Sequence, residues 1–166
     1  MSDARAVERP EPAGTPEPVS YVHAVALVVG EHGLLIRGAS GSGKSTLASG
    51  LVAEARRADR FGRLVADDTV GLAARGGRLV ARAHPLTAGL AERRGVGIVE
   101  VAHEAACVVR LVVDLVDAAE TIRLPELRDA SVMLIGITVS RLAVPAGASV
   151  GDNVYRVMDC LAAFGP

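Results

Sequence analysis

The sequence predicts an α/β domain in which a mixed sheet with several hairpins carries flanking helices. Three observations lead to this expectation. A β-rich apolar run ends at Arg37 and continues through a glycine-rich loop into a stretch with Leu47 and Leu51 at helical spacing. Short glycine turns such as Arg75-Gly76-Gly77 separate other β-rich runs, which is typical of hairpins. The stretch 153–164 again places its apolar residues on one helical face.

The elements follow from these patterns in chain order. Residues 1–19 are rich in proline and glutamate, which is typical of a disordered tail, and 20–166 are expected to form a single domain. The strands expected there are 22–29, 34–37, 63–66, 70–74, 78–83, 96–101, 108–115 and 132–139. The helices expected are 45–57, 85–93 and 153–164.

The composition excludes several classes of protein. The chain of 166 residues has a formal net charge of −1, so it offers no basic field to nucleic acid or to an anionic membrane. Its four aromatic residues are too few to stack single-stranded bases. The apolar stretch 105–116 is too short and too charged to span a bilayer. Cys107 and Cys160 lack metal-ligand or disulfide spacing, which favours a cytoplasmic protein.

Residues 38–45 match the phosphate-loop (P-loop) pattern GxxxxGK[ST] in full. Glycines let successive backbone N–H groups turn toward phosphate oxygens, and the following helix adds its positive N-terminal end. The lysine of this pattern reaches the β- and γ-phosphates, and the hydroxyl residue ligates Mg²⁺. The alternative is a Gly/Ser turn that precedes a helix by chance. The predicted ATP and Mg²⁺ site consists of Gly38, Ala39, Ser40, Gly41, Ser42, Gly43, Lys44, Ser45 and Thr46.

Lys44 is the sole lysine of the chain; the other 17 of its 18 basic residues are arginines. A compact ammonium fits between phosphate oxygens where a wide guanidinium does not. The position of this one lysine inside the loop therefore supports phosphate binding.

Two adjacent carboxylates, Asp67 and Asp68, follow the apolar run Leu64-Val65-Ala66. A P-loop site needs an acid near Mg²⁺, and a second carboxylate can accept the proton of a hydroxyl nucleophile. The alternative is a turn, since Asp-Asp-Thr is good turn chemistry.

Two further groups of residues are candidates for the active site, and each has an alternative explanation without catalysis. Glu92 and Arg94 lie in a charged, glycine-containing segment, where they could meet metal and phosphoryl charge or simply be solvated at a helix end. His23 lies in a strand leading toward the loop, where a histidine with a structural hydrogen bond is the alternative to a catalytic one.

The motifs together resemble a known family. The segments His23-Ala24-Val25, Gly38 to Ser45, Leu64 to Asp68 and Glu92 to Ile98 occur in an order and at spacings that resemble the catalytic domain of HPr kinase/phosphorylase. The resemblance covers roughly residues 20–142. It is strongest to the short form of alphaproteobacteria, which lacks the family's N-terminal domain.

The resemblance implies a fold akin to phosphoenolpyruvate carboxykinase and a homo-oligomer, a hexamer in the family. It implies a kinase that transfers the γ-phosphoryl of ATP to a serine of the phosphocarrier HPr, with or without the reverse phosphorolysis. One of Asp67 and Asp68 resembles the general base and the other a metal-side carboxylate. We favour Asp67 as the base, which leaves Ser45, Asp68 and Glu92 on the metal side. His23 and Arg94 match the family's active-site histidine and signature arginine.

This chain departs from the family in the segment before its last predicted helix. Full-length members carry Gly-Arg-Asn before the last helix, whereas this chain has Gly151-Asp152-Asn153. The reverse reaction therefore stays open. Two alternatives to the HPr kinase also remain: a nucleotide-binding regulator without catalysis, and a P-loop kinase with another acceptor, because neither fold nor motif sets the acceptor.

Overall fold

The computed structural model describes residues 19–93, 95–121 and 130–164, which form eleven strands and two α-helices. A short 3₁₀ turn, Ala118–Glu120, follows the longest strand. The strands are β1 Ser20–His23, β2 Val25–Val29, β3 His32–Gly38, β4 Gly62–Ala66, β5 Thr69–Arg75, β6 Arg78–Ala83, β7 Leu90–Arg93, β8 Gly97–Glu100, β9 Ala106–Val116, β10 Ser131–Leu134 and β11 Ile137–Pro145. The helices are α1 Lys44–Arg57 and α2 Val150–Ala162.

Nine of these strands form one mixed sheet with β9 at its centre. β9 runs parallel to β3 and β11 and antiparallel to β6. Hairpins extend the sheet on both sides, and β7 and β8 form a separate two-stranded ribbon. The predicted mixed α/β fold with hairpins and flanking helices is therefore confirmed.

Two apolar cores cover the two faces of the sheet. One packs α1 and α2 against alternate residues of the central strands, such as Leu34, Ile36 and Leu111. The other contains Leu35 and Val112, which point to the opposite face. This alternation follows from the period of two along a strand and fixes which side chains can reach each face.

Strand direction brings the candidate residues to one edge of the sheet. β2 is antiparallel to both β3 and β4, so its start lies beside the ends of those two strands. Gly38 ends β3, Asp67 and Asp68 follow β4, and His23 immediately precedes the break before β2. Elements distant in sequence thus meet where the glycine-rich loop begins.

The helix predicted at 85–93 is wrong. The chain instead makes a turn in which Leu90 N donates to Thr87 O, and Gly89 has a φ of +75° that ends any right-handed helix. Leu90–Arg93 then pairs with Gly97–Glu100 as the β7–β8 ribbon. Cross-strand pairing has overridden a local pattern that suited a helix.

Two predicted strands are each divided in two. The run 22–29 breaks at Ala24, so that β1 pairs with β5 while β2 pairs with β3 and β4. The run 132–139 turns at Ile135-Gly136 into the β10–β11 hairpin. Residues 1–18 lie outside the described residues, so the predicted tail and the single-domain boundary stay predictions. Within the described ranges, no helix is long and apolar enough to cross a membrane.

Candidate active site

The glycine-rich loop connects β3 to α1 and turns sharply at both ends. At Gly38, with φ at +151°, a Cβ would lie 2.7 Å from Ser42 Oγ and 2.9 Å from Leu115 O. Gly43 caps α1 with φ at +98°, a left-handed conformation that costs other residues strain. The loop therefore needs glycine at both ends to fold back over the strand.

The Lys44 side chain folds back into this loop. Its ammonium donates to Gly38 O and Ala39 O, both at 3.0 Å, and the residue is only 7% exposed. Burial of an ammonium is tolerated because these carbonyls accept its hydrogen bonds. The loop thus holds a buried positive charge at its centre.

The loop contains a polar side chain without a partner among the described residues and two uncrowded glycines. Ser42 Oγ is buried and has no hydrogen-bond partner among the described residues. Built Cβ atoms on Gly41 and Gly43 would meet nothing within 4 Å. A buried hydroxyl without a partner and a buried ammonium in one glycine-rich loop suit an oxyanion.

Asp67 lies at the end of β4 and is 6% exposed. One carboxylate oxygen accepts from Ser45 Oγ at 2.8 Å, and the other accepts from Glu92 N at 3.2 Å. The carboxylate therefore joins the first turn of α1 to β7. Both oxygens already have a donor within the protein.

Asp68 has a different environment although it is the next residue. Its side chain is 69% exposed, and Oδ1 lies 2.8 Å from His23 Nδ1, whose side chain is 51% exposed. Its φ is +71°, held by a bond from Ala24 N to Asp68 O. An ionised Asp68 can only accept, so the His23 Nδ1 carries the proton of this bond.

Of the two remaining predicted site residues, one contacts the site through its backbone and the other is not described. Glu92 contributes its backbone N–H to Asp67, while its side chain is exposed. Arg94 lies outside the described residues. In the described ranges, no three His, Cys, Asp or Glu side chains are grouped so that they could hold a metal ion.

A charged cluster beside the loop was missed by sequence reasoning. Arg37 binds Asp114 through two bonds, Nε to Oδ1 and Nη2 to Oδ2, both at 2.8 Å. Arg141 Nε donates to Oδ2 at 2.6 Å. Burial opposes ionisation of Asp114, yet hydrogen bonds from both arginines and their charges lower its pKa. The available signal was a charged residue within each of three mostly apolar strands.

A cleft of about 320 Å³ lies farther along α1 and is not part of the loop. Its walls come from the middle of α1, from β4 and from the region of β7 and β8, with Val52, Arg56, Leu64, Arg93 and Val101 among its lining residues. None of the predicted site residues lines it. The candidate site is therefore defined by the loop and the two aspartates.

The chain is similar to proteins of one known family. The sequence matches the family described as HPr Serine kinase C-terminal domain over residues 17–163, which is most of the chain. This chain belongs to the HPr serine kinase C-terminal domain family. The predicted resemblance is thereby confirmed.

Curated relatives of this HPr kinase domain include the HPr kinase/phosphorylases of Clostridium beijerinckii and Clostridium tetani. Each is 39% identical over 84 residues, which is 51% of this chain but only 26% of the relative. The match thus spans about a quarter of the length of those proteins.

A solved structure shows the same fold. It is the Hpr(Ser) kinase/phosphatase from Coxiella burnetii, with a TM-score of 0.69, 24% identity, and coverage of 86% of this chain and 88% of that one. At this identity the likeness concerns the fold. It agrees with the mixed sheet and flanking helices described above.

Proposed function

We propose that this chain is an ATP- and Mg²⁺-dependent kinase that phosphorylates a serine of an HPr-type phosphocarrier. The observation that carries the proposal is the contrast between the two adjacent aspartates. Asp67 is buried and tied to the loop through Ser45, whereas Asp68 is exposed and paired with His23. Two carboxylates in different environments suit two different roles.

The loop supports the ATP part of the proposal. Lys44 supplies a buried ammonium, the Ser42 hydroxyl has no partner among the described residues, and Gly41 and Gly43 are uncrowded. These groups would neutralise and orient the phosphates of ATP. The N-terminal end of α1, with its positive dipole, begins at the same point.

The metal side of the site is assigned to Ser45, Asp67 and Glu92. The Ser45 hydroxyl and the Asp67 carboxylate are already in contact, and Glu92 adjoins them through its backbone. These oxygens fit Mg²⁺, which usually binds one or two carboxylates together with substrate phosphates and water. Mg²⁺, when bound, neutralises charge on the transferring phosphoryl group.

The general base is assigned to Asp68, which reverses the division suggested by the resemblance. Asp67 has donors on both oxygens and is shielded from an incoming hydroxyl, while Asp68 faces solvent. In the transfer step the serine oxygen bonds to the γ-phosphorus as the bond to the β,γ-bridging oxygen breaks. Asp68 takes the serine proton, and ADP leaves.

His23 has a positioning role in this proposal. Its bond to Oδ1 fixes the orientation of the Asp68 carboxylate and leaves the second oxygen for the acceptor hydroxyl. The backbone N–H of Ala24 also donates to the carbonyl oxygen of Asp68. His23 and Ala24, the two residues at the break between β1 and β2, therefore both bind Asp68.

Membership of the HPr kinase family supports an HPr-type acceptor, and the relatives' names support the reverse reaction with inorganic phosphate. The test is incubation with γ-labelled ATP, Mg²⁺ and the phosphocarriers of the source organism, followed by mapping of the label. Label on a carrier serine, released again by added phosphate, is the expected result. ATP binding without transfer to any carrier would instead indicate a nucleotide-binding regulator.

A further inference from the structure

The cluster of Arg37, Asp114 and Arg141, called here the Arg37 cluster, has no part in the chemistry proposed above. It lies where three adjacent strands, β3, β9 and β11, run parallel. Asp114 is 8% exposed, while the side chains of Arg37 and Arg141 are 28% and 27% exposed. Asp114 is thus a largely buried carboxylate that two arginines bind.

Stability alone is a weak reason for such a cluster. Desolvation of charged groups costs about as much as their attraction returns, and apolar residues of similar volume often stabilise a fold equally well. The neighbouring positions on the same face, Leu35 and Val112, are apolar and fully buried. The specific property of the cluster is that it ties three strands together in one register.

The forked contact of the cluster comes from β3, the strand that enters the loop. Arg37 stands opposite Asp114 in the parallel pairing, and Gly38 stands opposite Leu115. The forked contact from Arg37 to both carboxylate oxygens adds a side-chain link at that same pair. One residue later, Gly38 O accepts the hydrogen bond of the Lys44 ammonium.

We infer that Asp114, acting through Arg37, positions the start of the glycine-rich loop and hence the Lys44 ammonium for ATP. This rests on the proposed ATP site. Arg141 holds Asp114 from the third strand but is not on the strand that enters the loop. Arg37 and Arg141 thus carry the same charge and both bind Asp114, but they lie on different strands.

That difference provides a matched pair of variants, Arg37→Gln and Arg141→Gln. Each lowers the charge of the cluster by one and leaves Asp114 with one arginine, so both should fold. We expect Arg37→Gln to raise the Kd for Mg·ATP about tenfold, as loss of a supporting contact commonly does, and Arg141→Gln to raise it less than about threefold. Equal increases in the two variants would show a charge effect and overturn the inference.

A second readout needs no nucleotide. Hydrogen exchange of the amides of 39–43 in the ATP-free protein should be faster in Arg37→Gln than in Arg141→Gln, because the loop then starts from a less restrained strand. Glu104→Gln is the control, since it removes the Arg63–Glu104 ion pair outside the loop. It should leave both exchange and Kd unchanged. Identical loop exchange in the two arginine variants would also overturn the inference.

A conservative variant separates positioning from folding. Arg37→Lys keeps the charge of the cluster but cannot form the forked contact. It should still raise the Kd and loop exchange, to values between wild type and Arg37→Gln, and wild-type values would contradict the forked contact as the cause. If the wild-type chain binds no ATP, the proposed function fails, whereas the exchange comparison still tests whether Arg37 positions the loop.

Discussion

Ser45 Oγ donates a 2.8 Å hydrogen bond to Asp67 Oδ1 and so joins the first turn of α1 to the end of β4. Ser45 lies in α1, and Asp67 directly follows β4. The second oxygen of Asp67 accepts from Glu92 N. The metal side of the proposed site is therefore built into the contacts of α1, β4 and β7.

Asp67→Asn should weaken the Mg²⁺ dependence of ATP binding. The amide has one acceptor oxygen where the carboxylate has two, so either Ser45 or the Glu92 N–H loses its partner. We expect the Kd for ATP with Mg²⁺ to rise about tenfold to a hundredfold, while the Kd without Mg²⁺ changes little. Titration calorimetry at both conditions measures this, and an unaltered Mg²⁺ effect would remove Asp67 from the metal side.

His23→Ala should slow transfer without weakening ATP binding. Asp68 would lose the 2.8 Å contact that orients its carboxylate. We expect a fall of about tenfold to a hundredfold in the single-turnover rate. His32→Ala is the matched control, because His32 lies at the far end of β3 and contacts Phe164. Equal rates in the two variants would exclude a role for the Asp68 pairing.

Gly33→Ala should destabilise the fold at the centre of the sheet. A Cβ on Gly33 would clash with Val108 O and lie 2.8 Å from Cys107 Sγ, so the backbone of β9 must move. We expect a loss of about 1–3 kcal/mol in the free energy of unfolding. Gly147→Ala is the control, since its Cβ meets nothing within 4 Å, and it should stay within about 0.5 kcal/mol. Urea unfolding of both variants measures these changes in the free energy of unfolding, and equal changes would contradict the prediction.

The Arg37 cluster should make stability depend on pH in the acid range. The arginines lower the pKa of Asp114 in the folded protein, below the value of about 3.9 expected when the chain is unfolded. The stabilisation is therefore fully present above that unfolded value and is lost as the pH falls through the lower folded pKa. Asp114→Asn should lower the melting temperature at pH 7, and this difference should become smaller as the pH falls below about 3.9. A difference that stays constant with pH would contradict this.

The sequence predicted those parts of the fold and site that depend on local pattern. The glycine-rich loop, α1, the β2–β3 and β5–β6 hairpins and the adjacent aspartates were readable from spacing along the chain. The helix expected at 85–93 failed because β7 is formed by pairing with β8, a contact that local periodicity does not contain. The division at Ala24 was missed for the same reason, since β1 and β2 take different partners.

The roles of Asp67 and Asp68 could not be separated from sequence either. Adjacent residues share composition and motif, and only burial and partners distinguish them. The link between Arg37 and Asp114 joins residues 77 positions apart and depends on the parallel register of β3 and β9. Such a pairing becomes visible only when the strand order is known.

The measurement that tests the central claim most directly compares wild type with Asp68→Asn in single-turnover transfer from Mg·ATP to a phosphocarrier serine. Asp68 is exposed and its oxygens do not contact the loop lysine, so the variant should fold and bind ATP with a Kd close to wild type. We predict that wild type transfers and that the variant is slower by at least about a hundredfold, the usual contribution of a general base. Transfer by Asp68→Asn at the wild-type rate would contradict the account.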